Sequence, residues 1–273
     1  MEPHDAASAL DAILRDMGST VVAYSGGIDS SVLALRAHSV LGAAALAVTA
    51  DSESFGARQR DLAVEIAARF GFAHRIVRTS ELADPLYARN EPDRCYRCKT
   101  ELFRHLLPLA QREGYAHVAY GLIVDDLSDF RPGHRAAAEA GVRSPLAEAG
   151  LDKEAVRRLG RDMGLPNWDL PASPCLSSRI PYGMPVTEEA LRRIEAAEDA
   201  LARLGFCEFR VRHLGEAARV EIAPAEMGRL AAAGVRRAVE EAVAAAGYRS
   251  VLIDPEGYRK GRLNESLRVV SST

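Results

Sequence analysis

The chain has 273 residues, 48% hydrophobic and 27% charged, a length and balance that hold one large or two smaller cores and exclude fibrous and disordered classes. A formal net charge of -3 leaves no overall basic footprint, so extended nucleic-acid binding is disfavoured and a small-molecule partner is expected. MEPHDAASAL lacks a secretory start, and no window reaches the roughly 18 uninterrupted apolar residues of a membrane span, so a cytoplasmic protein is expected, with no membrane partner.

In chain order, TVVAY (20–24), a helix from about Asp29 to Leu41, AALAVTA (44–50), a helix over Ala57 to Phe70 and HRIVRT (74–79) set a βαβα rhythm. A polar stretch holding CYRCK (95–99) follows, then a helix from about Lys99 to Glu113 and the strand HVAYG (117–121). Strands separated by helices of this length predict a doubly wound parallel α/β sheet. Gly42, Gly71, Gly114 and Gly164 stand where left-handed C-caps are expected. Residues 165–186 carry five prolines and no periodicity, which reads as an ordered loop or linker. Beyond it, a helix from Thr187 to about Leu204, two alternating runs at 208–214 and 218–223, a helix pair and YRSVLI (248–253) predict a smaller α+β domain. The expected domains are 1–180 and 181–273.

AYSGGIDSS (23–31) leaves the first strand and opens the first helix. Gly26 and Gly27 permit a tight bend that brings N–H groups to an anion, and Ser25, Ser30 and Ser31 add hydroxyls at the positive helix end. The stretch is neither a Walker loop nor a dinucleotide fingerprint. It resembles instead the PP-loop of the ATP pyrophosphatase superfamily, which implies ATP binding and AMP transfer. Asp29 beside a phosphate site calls for a cation, and Mg²⁺ carried by ATP is expected. Ser52, in DSESF (51–55) at the end of the second strand, is a candidate for adenosine contact.

SGGIDSS, DSES, RCYRCK, the run 125–153, PCLSSRIPYG (174–183) and RVRHLGEAARVE (210–221) together resemble the LarE family, over nearly the whole chain and in the right order. The resemblance implies a sulfurtransferase in the biosynthesis of the nickel-pincer nucleotide cofactor of lactate racemase. ATP adenylylates a carboxylate of pyridinium-3,5-biscarboxylic acid mononucleotide, and sulfur then displaces AMP. In one type of the family the P-C-L cysteine, here Cys175, gives up its own sulfur and becomes dehydroalanine. In another, three cysteines hold a [4Fe-4S] cluster; here these would be Cys95, Cys98 and Cys175, with one iron left open for a transferable sulfide. The resemblance further implies a homo-oligomer such as a hexamer.

Four cysteines without an export signal argue against a disulfide framework. A redox CxxC ordinarily opens a helix within a thioredoxin-like βαβ unit, whereas this pair follows a proline-containing polar loop and is expected to precede a helix in a different fold, which argues against a dithiol. Zinc wants four ligands, and the remaining cysteine, Cys207, reads as a small buried hydrophobe. Cluster, sacrificial cysteine and zinc stay open.

For a nucleotide-like anion, Arg210 and Arg212 project from one strand face as two guanidinium forks, unless they form a solvated face. Arg219 and Glu221 share a face by the same alternation. Ser177, Ser178 and Arg179, next to Cys175, are further substrate candidates; Glu198 and Glu221 are candidates for a metal or for neutralising the arginines. Lys99 is placed to offset charge near the cysteines or phosphates, Arg131 is a comparable candidate, and Trp168 reads as a packing anchor. Alternative functions are another PP-loop ligase, a tRNA thiolase, or a metal-cluster scaffold with a regulatory nucleotide site.

Overall fold

A computed structural model describes residues 3–127, 132–259 and 261–262. The chain divides into two compact units: one joins the chain up to Glu81 with Asp93–Ser173, the other joins Leu82–Pro92 with the chain from Pro174 onward. The proline-rich stretch 165–186 is thus where the chain passes from the first unit to the second.

In the first unit, α1 (Pro3–Met17) leads to β1 (Thr20–Ala23), α2 (Ile28–Leu41), β2 (Ala45–Asp51), α3 (Ala57–Phe70) and β3 (His74–Arg78). Helix α4 (Pro85–Ala88) belongs to the second unit. Next come α5 (Arg94–Glu113), β4 (His117–Tyr120) and the helices α6 (Val124–Leu127), α7 (Pro132–Glu139), α8 (Pro145–Glu148) and α9 (Lys153–Asp162). The strands are parallel in the order β3-β2-β1-β4. The chain moves from β1 outward to β3, then returns to place β4 on the other side of β1. The carboxyl end of β1 is therefore the topological switch point, where open α/β sheets bind ligands.

Period-two alternation fills both faces. Val21, Ala23, Leu46, Val48 and Val118 pack with Phe103, Leu106 and Leu109 of α5, whereas Val22, Tyr24, Ala47 and Ala119 pack with Leu10, Leu14, Val32 and Leu33 from α1 and α2. A sheet covered on both sides needs strands apolar at every position, and β1 is buried throughout. Each fully buried aliphatic side chain contributes about 1.5–3 kcal/mol.

The predicted element types are found, with one displacement that matters. Helix α5 begins at Arg94 rather than Lys99, so CYRCK forms its first turns. Pro92 and Asp93 mark the start: the Asp93 carbonyl accepts from Tyr96 N at 2.8 Å, and its carboxylate receives Arg97 Nε at 3.3 Å. Gly71 and Gly114 are left-handed caps as expected; Gly42 has φ 57° and ψ −123°, a positive φ outside the left-handed helical well.

In the second unit, α10 (Glu188–Arg203) is capped by Thr187, whose Oγ1 accepts from Ala190 N at 3.1 Å. It is followed by β5 (Phe209–Leu214), β6 (Ala217–Ile222), α11 (Pro224–Met227), α12 (Val235–Ala245) and β7 (Ser250–Ile253). Strands β5 and β6 run antiparallel and β7 joins β6 in parallel. Val211, Val220 and Ile222 meet Leu201 of α10 and Val239 and Val243 of α12 in one core.

The inserted segment 82–92 is stitched to the PCLSSRIPYG block. Asn90 is fully buried at φ 60°, and its Nδ2 donates to the carbonyls of Ile180, Pro181 and Met184 at 3.3, 2.8 and 2.9 Å. Asparagine is among the few residues that tolerate this backbone region. Among the described residues, no helix is long and apolar enough to cross a membrane.

Candidate functional site

Ser25, Gly26 and Gly27 leave β1 at the switch point, and α2 begins at Ile28. The Ser31 N–H bonds the Gly27 carbonyl at 2.9 Å; the helix N–H groups before it have no intrahelical acceptor and stand at the positive end of the helix dipole. Ser30 Oγ donates to the Gly27 carbonyl at 2.9 Å and accepts from Ser25 N at 3.1 Å, which fixes the bend. Gln59 Nε2 donates to the Ser25 carbonyl at 2.8 Å, and buried Asn167 donates to the Gly26 carbonyl at 2.8 Å and to Ser31 Oγ at 3.0 Å. The resulting loop is preorganised to present amides to an anion.

Two glycines allow this. Gly26 sits at φ 70°, and a Cβ there would fall 2.9 Å from the Ala63 Cβ; a Cβ on Gly121, just past β4, would fall 2.9 Å from the Ser30 nitrogen. Gly26→Ala is expected to cost about 1–3 kcal/mol through strain and overlap, read as a lowered urea midpoint at unchanged slope. A midpoint equal to wild type would show that the loop yields without cost.

Asp29, in the first turn of α2, accepts Lys153 Nζ through both oxygens at 2.7 Å. In the structure, then, the cation on Asp29 is Lys153. This lysine opens α9, where Asp152 caps Ala155 N at 2.7 Å and the Lys153 N–H reaches Asp125 Oδ2 at 2.7 Å. With side chains 25% and 40% exposed, the pair contributes at most about 1 kcal/mol to folding.

At the end of β2, Ser52 Oγ donates to Glu81 Oε1 at 2.9 Å, and Ser54 Oγ donates to the same oxygen. Glu81 is buried, and Asp51 is held between Arg60 at 3.3 Å and Arg78 at 2.9 Å. The DSES side chains are thus occupied by local partners.

Cys95 is exposed and Cys98 half-buried, one turn apart in α5. Gly133 of α7 packs close by: a Cβ there would lie 3.0 Å from Lys99 Cγ and 3.3 Å from the Cys95 carbonyl oxygen. Lys99 Nζ lies 5.7 Å from the Tyr120 ring centre, and burial raises the Tyr120 pKa above its ordinary 10, keeping that phenol neutral. Within the first unit, and among the described residues, no third His, Cys, Asp or Glu completes a metal-binding group with the pair. Trp168 packs against the α1–α2 core as an anchor, and Arg131 lies outside the described residues. Cys207 departs from expectation. It is exposed rather than buried, because it precedes the first core residue of β5 and its N–H is directed to the Glu226 carboxylate at 3.0 Å.

In the second unit, Cys175 is half-buried at the start of a 3₁₀ turn, Leu176–Arg179. Arg179 determines how this turn is held. Its Nε and Nη2 grip the Glu198 carboxylate at 2.9 and 2.8 Å, while Nη1 donates to the carbonyls of Pro174 (2.6 Å) and Cys175 (3.1 Å) and to Ser178 Oγ (2.9 Å). Glu198 Oε1 also accepts Val211 N at 3.0 Å. Ser177 is buried, its Oγ 2.7 Å from Tyr87 Oη.

Arg210 and Arg212 do lie on one face of β5, but that face is buried, not solvated. Arg212 Nε meets Glu221 Oε2 at 2.8 Å and its Nη1 meets the Ser178 carbonyl at 2.9 Å. Arg219 stands directly opposite Arg212 across the strands, and Glu221, 3.3 Å from Arg219, relieves that like-charge pairing. Arg262 joins Asp254, 2.6 Å away. Arg210 lies 4.9 Å from the Tyr258 ring centre, and burial, then the proximity of Arg179, lowers its pKa below the usual arginine value. Arg179, Arg210, Arg212, Arg219 and Arg262 thus gather around Glu198, Glu221 and Asp254.

Reasoning from sequence missed Lys153, Asn167, Gln59, Glu81, Tyr87 and Asn90. Only Lys153 carried a local signal, the Asp152 cap ahead of it; the rest act on partners 27 to 141 residues away.

No family model matches the chain. A protein of Synechocystis sp. named only as uncharacterized is 43% identical over 252 residues, covering 92% of this chain and 94% of the relative. A Methanocaldococcus jannaschii protein, likewise named uncharacterized, is 27% identical over 203 residues, 74% of this chain and 77% of its own. The pyridinium-3,5-bisthiocarboxylic acid mononucleotide synthase of Lactiplantibacillus plantarum is 38% identical over 261 residues, 95% of this chain and 94% of the synthase. A relationship of that extent, on a doubly wound α/β fold with a smaller second domain, shows that the chain belongs to the LarE family of sulfur transferases.

Proposed function

We propose that this enzyme uses ATP to adenylylate a carboxylate of pyridinium-3,5-biscarboxylic acid mononucleotide and replaces the AMP with sulfur, a step in making the nickel-pincer nucleotide cofactor of lactate racemase. The observation that carries the reading is the amide-lined bend at residues 25–31, placed at the switch point and fastened by Ser30, Gln59 and Asn167. A carboxylate is a poor electrophile; transferring AMP to it expels pyrophosphate and creates a mixed anhydride whose AMP leaves readily. The loop amides and Ser25, Ser30 and Ser31 hold the pyrophosphate end. Asp29 receives the Mg²⁺ carried by ATP, which frees Lys153 for the phosphate oxygens. The adenosine lies along the end of β2 near Ser52.

In the second unit, Arg210 and Arg212 bind the substrate phosphate, with Glu221 setting the Arg212 fork. Ser178 contacts the same anion. Arg179, Glu198, Tyr87 and Ser177 position the turn that carries Cys175. Lys99 offsets charge beside Cys95 and Cys98.

Three cysteine sulfurs, two of them on one helix face, are the soft donor set that suits iron–sulfur chemistry. Cys95, Cys98 and Cys175 would hold a [4Fe-4S] cluster, which would supply a sulfide for transfer. The protein acts as a cytoplasmic homo-oligomer.

Anaerobic isolation is expected to give roughly four irons and four acid-labile sulfides per chain, and incubation with ATP and the pyridinium substrate to give AMP and a thiocarboxylate. An iron-free protein in which Cys175 becomes dehydroalanine would replace the cluster by the sacrificial cysteine. AMP release that requires ammonia or tRNA instead of the pyridinium would overturn the substrate.

A further inference from the structure

Helix α5 starts at Arg94, five residues before the Lys99 start expected from the sequence. Cys95 and Cys98 therefore occupy the first turns of a 20-residue helix, three positions apart on one face. In α-helical geometry such residues have Cα atoms about 5 Å apart, inside the roughly 4.4–6.8 Å that disulfides span. Accessibility differs between them, with Cys95 exposed and Cys98 half-buried. Within their unit the pair has no third His, Cys, Asp or Glu to complete a metal group, among the described residues. The unit thus presents two thiols one helical turn apart, a spacing that a disulfide can span.

We propose that Cys95 and Cys98 close reversibly into an intrahelical disulfide by exchange with a low-molecular-weight disulfide, so that the start of α5 is a thiol switch. The Cys95 sulfur attacks the small disulfide, forming a mixed disulfide and releasing one small thiol. The Cys98 sulfur then attacks Cys95 Sγ, breaking the mixed disulfide and releasing the second small thiol. Both protein thiols are oxidised by two electrons in total, the small disulfide is reduced to two thiols, and the two protons follow the leaving sulfurs. Excess small thiol reverses both steps. While the bond is closed, neither sulfur is available to a soft metal, so the switch also governs whether the pair can act as ligands. The disulfide itself does not depend on the cluster reading.

The full chain, purified and reduced without oxygen, is treated with oxidised glutathione, alkylated and read by peptide mass spectrometry. The expected result is a 95–98 peptide lighter by two hydrogens and protected from alkylation, with Cys175 and Cys207 still alkylated and with full reversal by reduced glutathione. Cys98→Ser is expected to stop at a glutathione adduct on Cys95. A pair that stays alkylatable under oxidised glutathione, or that links instead to Cys175, Cys207 or a second chain, overturns the proposal; so does a Cys98→Ser protein that gains no adduct. Iron uptake is measured separately on the oxidised and reduced chain. Uptake by the reduced chain alone is expected; equal uptake in both states removes the control over metal. A reduced chain that closes the disulfide yet binds no iron sinks the cluster and leaves the switch standing.

Discussion

The Asp29→Asn enzyme is expected to fold normally and to release pyrophosphate about 10²–10³-fold more slowly than wild type. Stability and activity separate here because the two roles of Asp29 differ in size. The ion pair to Lys153 is partly exposed at both ends, so its loss costs at most about 1 kcal/mol. Asn keeps the side-chain shape and still accepts a hydrogen bond from Lys153. On the proposed function it removes the negative charge that would receive the Mg²⁺ carried by ATP, and charge stabilisation in a preorganised site contributes far more to rate than to folding. The comparison to make is pyrophosphate release under saturating ATP and substrate alongside a melting curve for each protein. A slow, equally stable variant supports the assignment; a variant with wild-type turnover removes Asp29 from the chemistry.

The largest effect on stability is expected at Arg179. Its side chain is 3% exposed and that of Glu198 12%, and the guanidinium also satisfies the carbonyls of Pro174 and Cys175. Arg179→Met leaves a buried carboxylate without its counter-charge and two acceptors without a donor, a loss of about 3–5 kcal/mol. Glu198→Gln is milder, about 1–3 kcal/mol, because the amide oxygen can still accept from Val211 N. Denaturant titration of the second unit's transition in both variants, and in the double variant, gives the coupling energy. A single-variant loss below about 1 kcal/mol for Arg179→Met would mean that water enters and resolves the carboxylate.

How far the site is legible in the sequence follows from the range of the interactions. The loop at 23–31 is readable because its chemistry is local: glycines, hydroxyls and a helix start within nine residues. Strand alternation likewise places Arg210 and Arg212 on one face. What alternation does not convey is that this face is buried, since that depends on Glu221 from the neighbouring strand and on the 3₁₀ turn at Leu176–Arg179. The start of α5 is missed for another reason. RCYRCK is polar and reads as loop by composition, whereas Pro92-Asp93 ahead of it carries the start signal. Lys153 meets Asp29 across 124 residues of chain, and Asn167 reaches Gly26 across 141; pairings of that separation are products of the fold.

Oxygen transfer from the substrate gives the sharpest test. With heavy oxygen placed in both carboxylates of the pyridinium mononucleotide, attack on the α-phosphorus of ATP carries one labelled atom into AMP when sulfur displaces it. AMP bearing a single heavy oxygen per thiocarboxylate formed is the result expected from a loop that holds pyrophosphate and hands over AMP. Unlabelled AMP, or label appearing in inorganic phosphate, would contradict it.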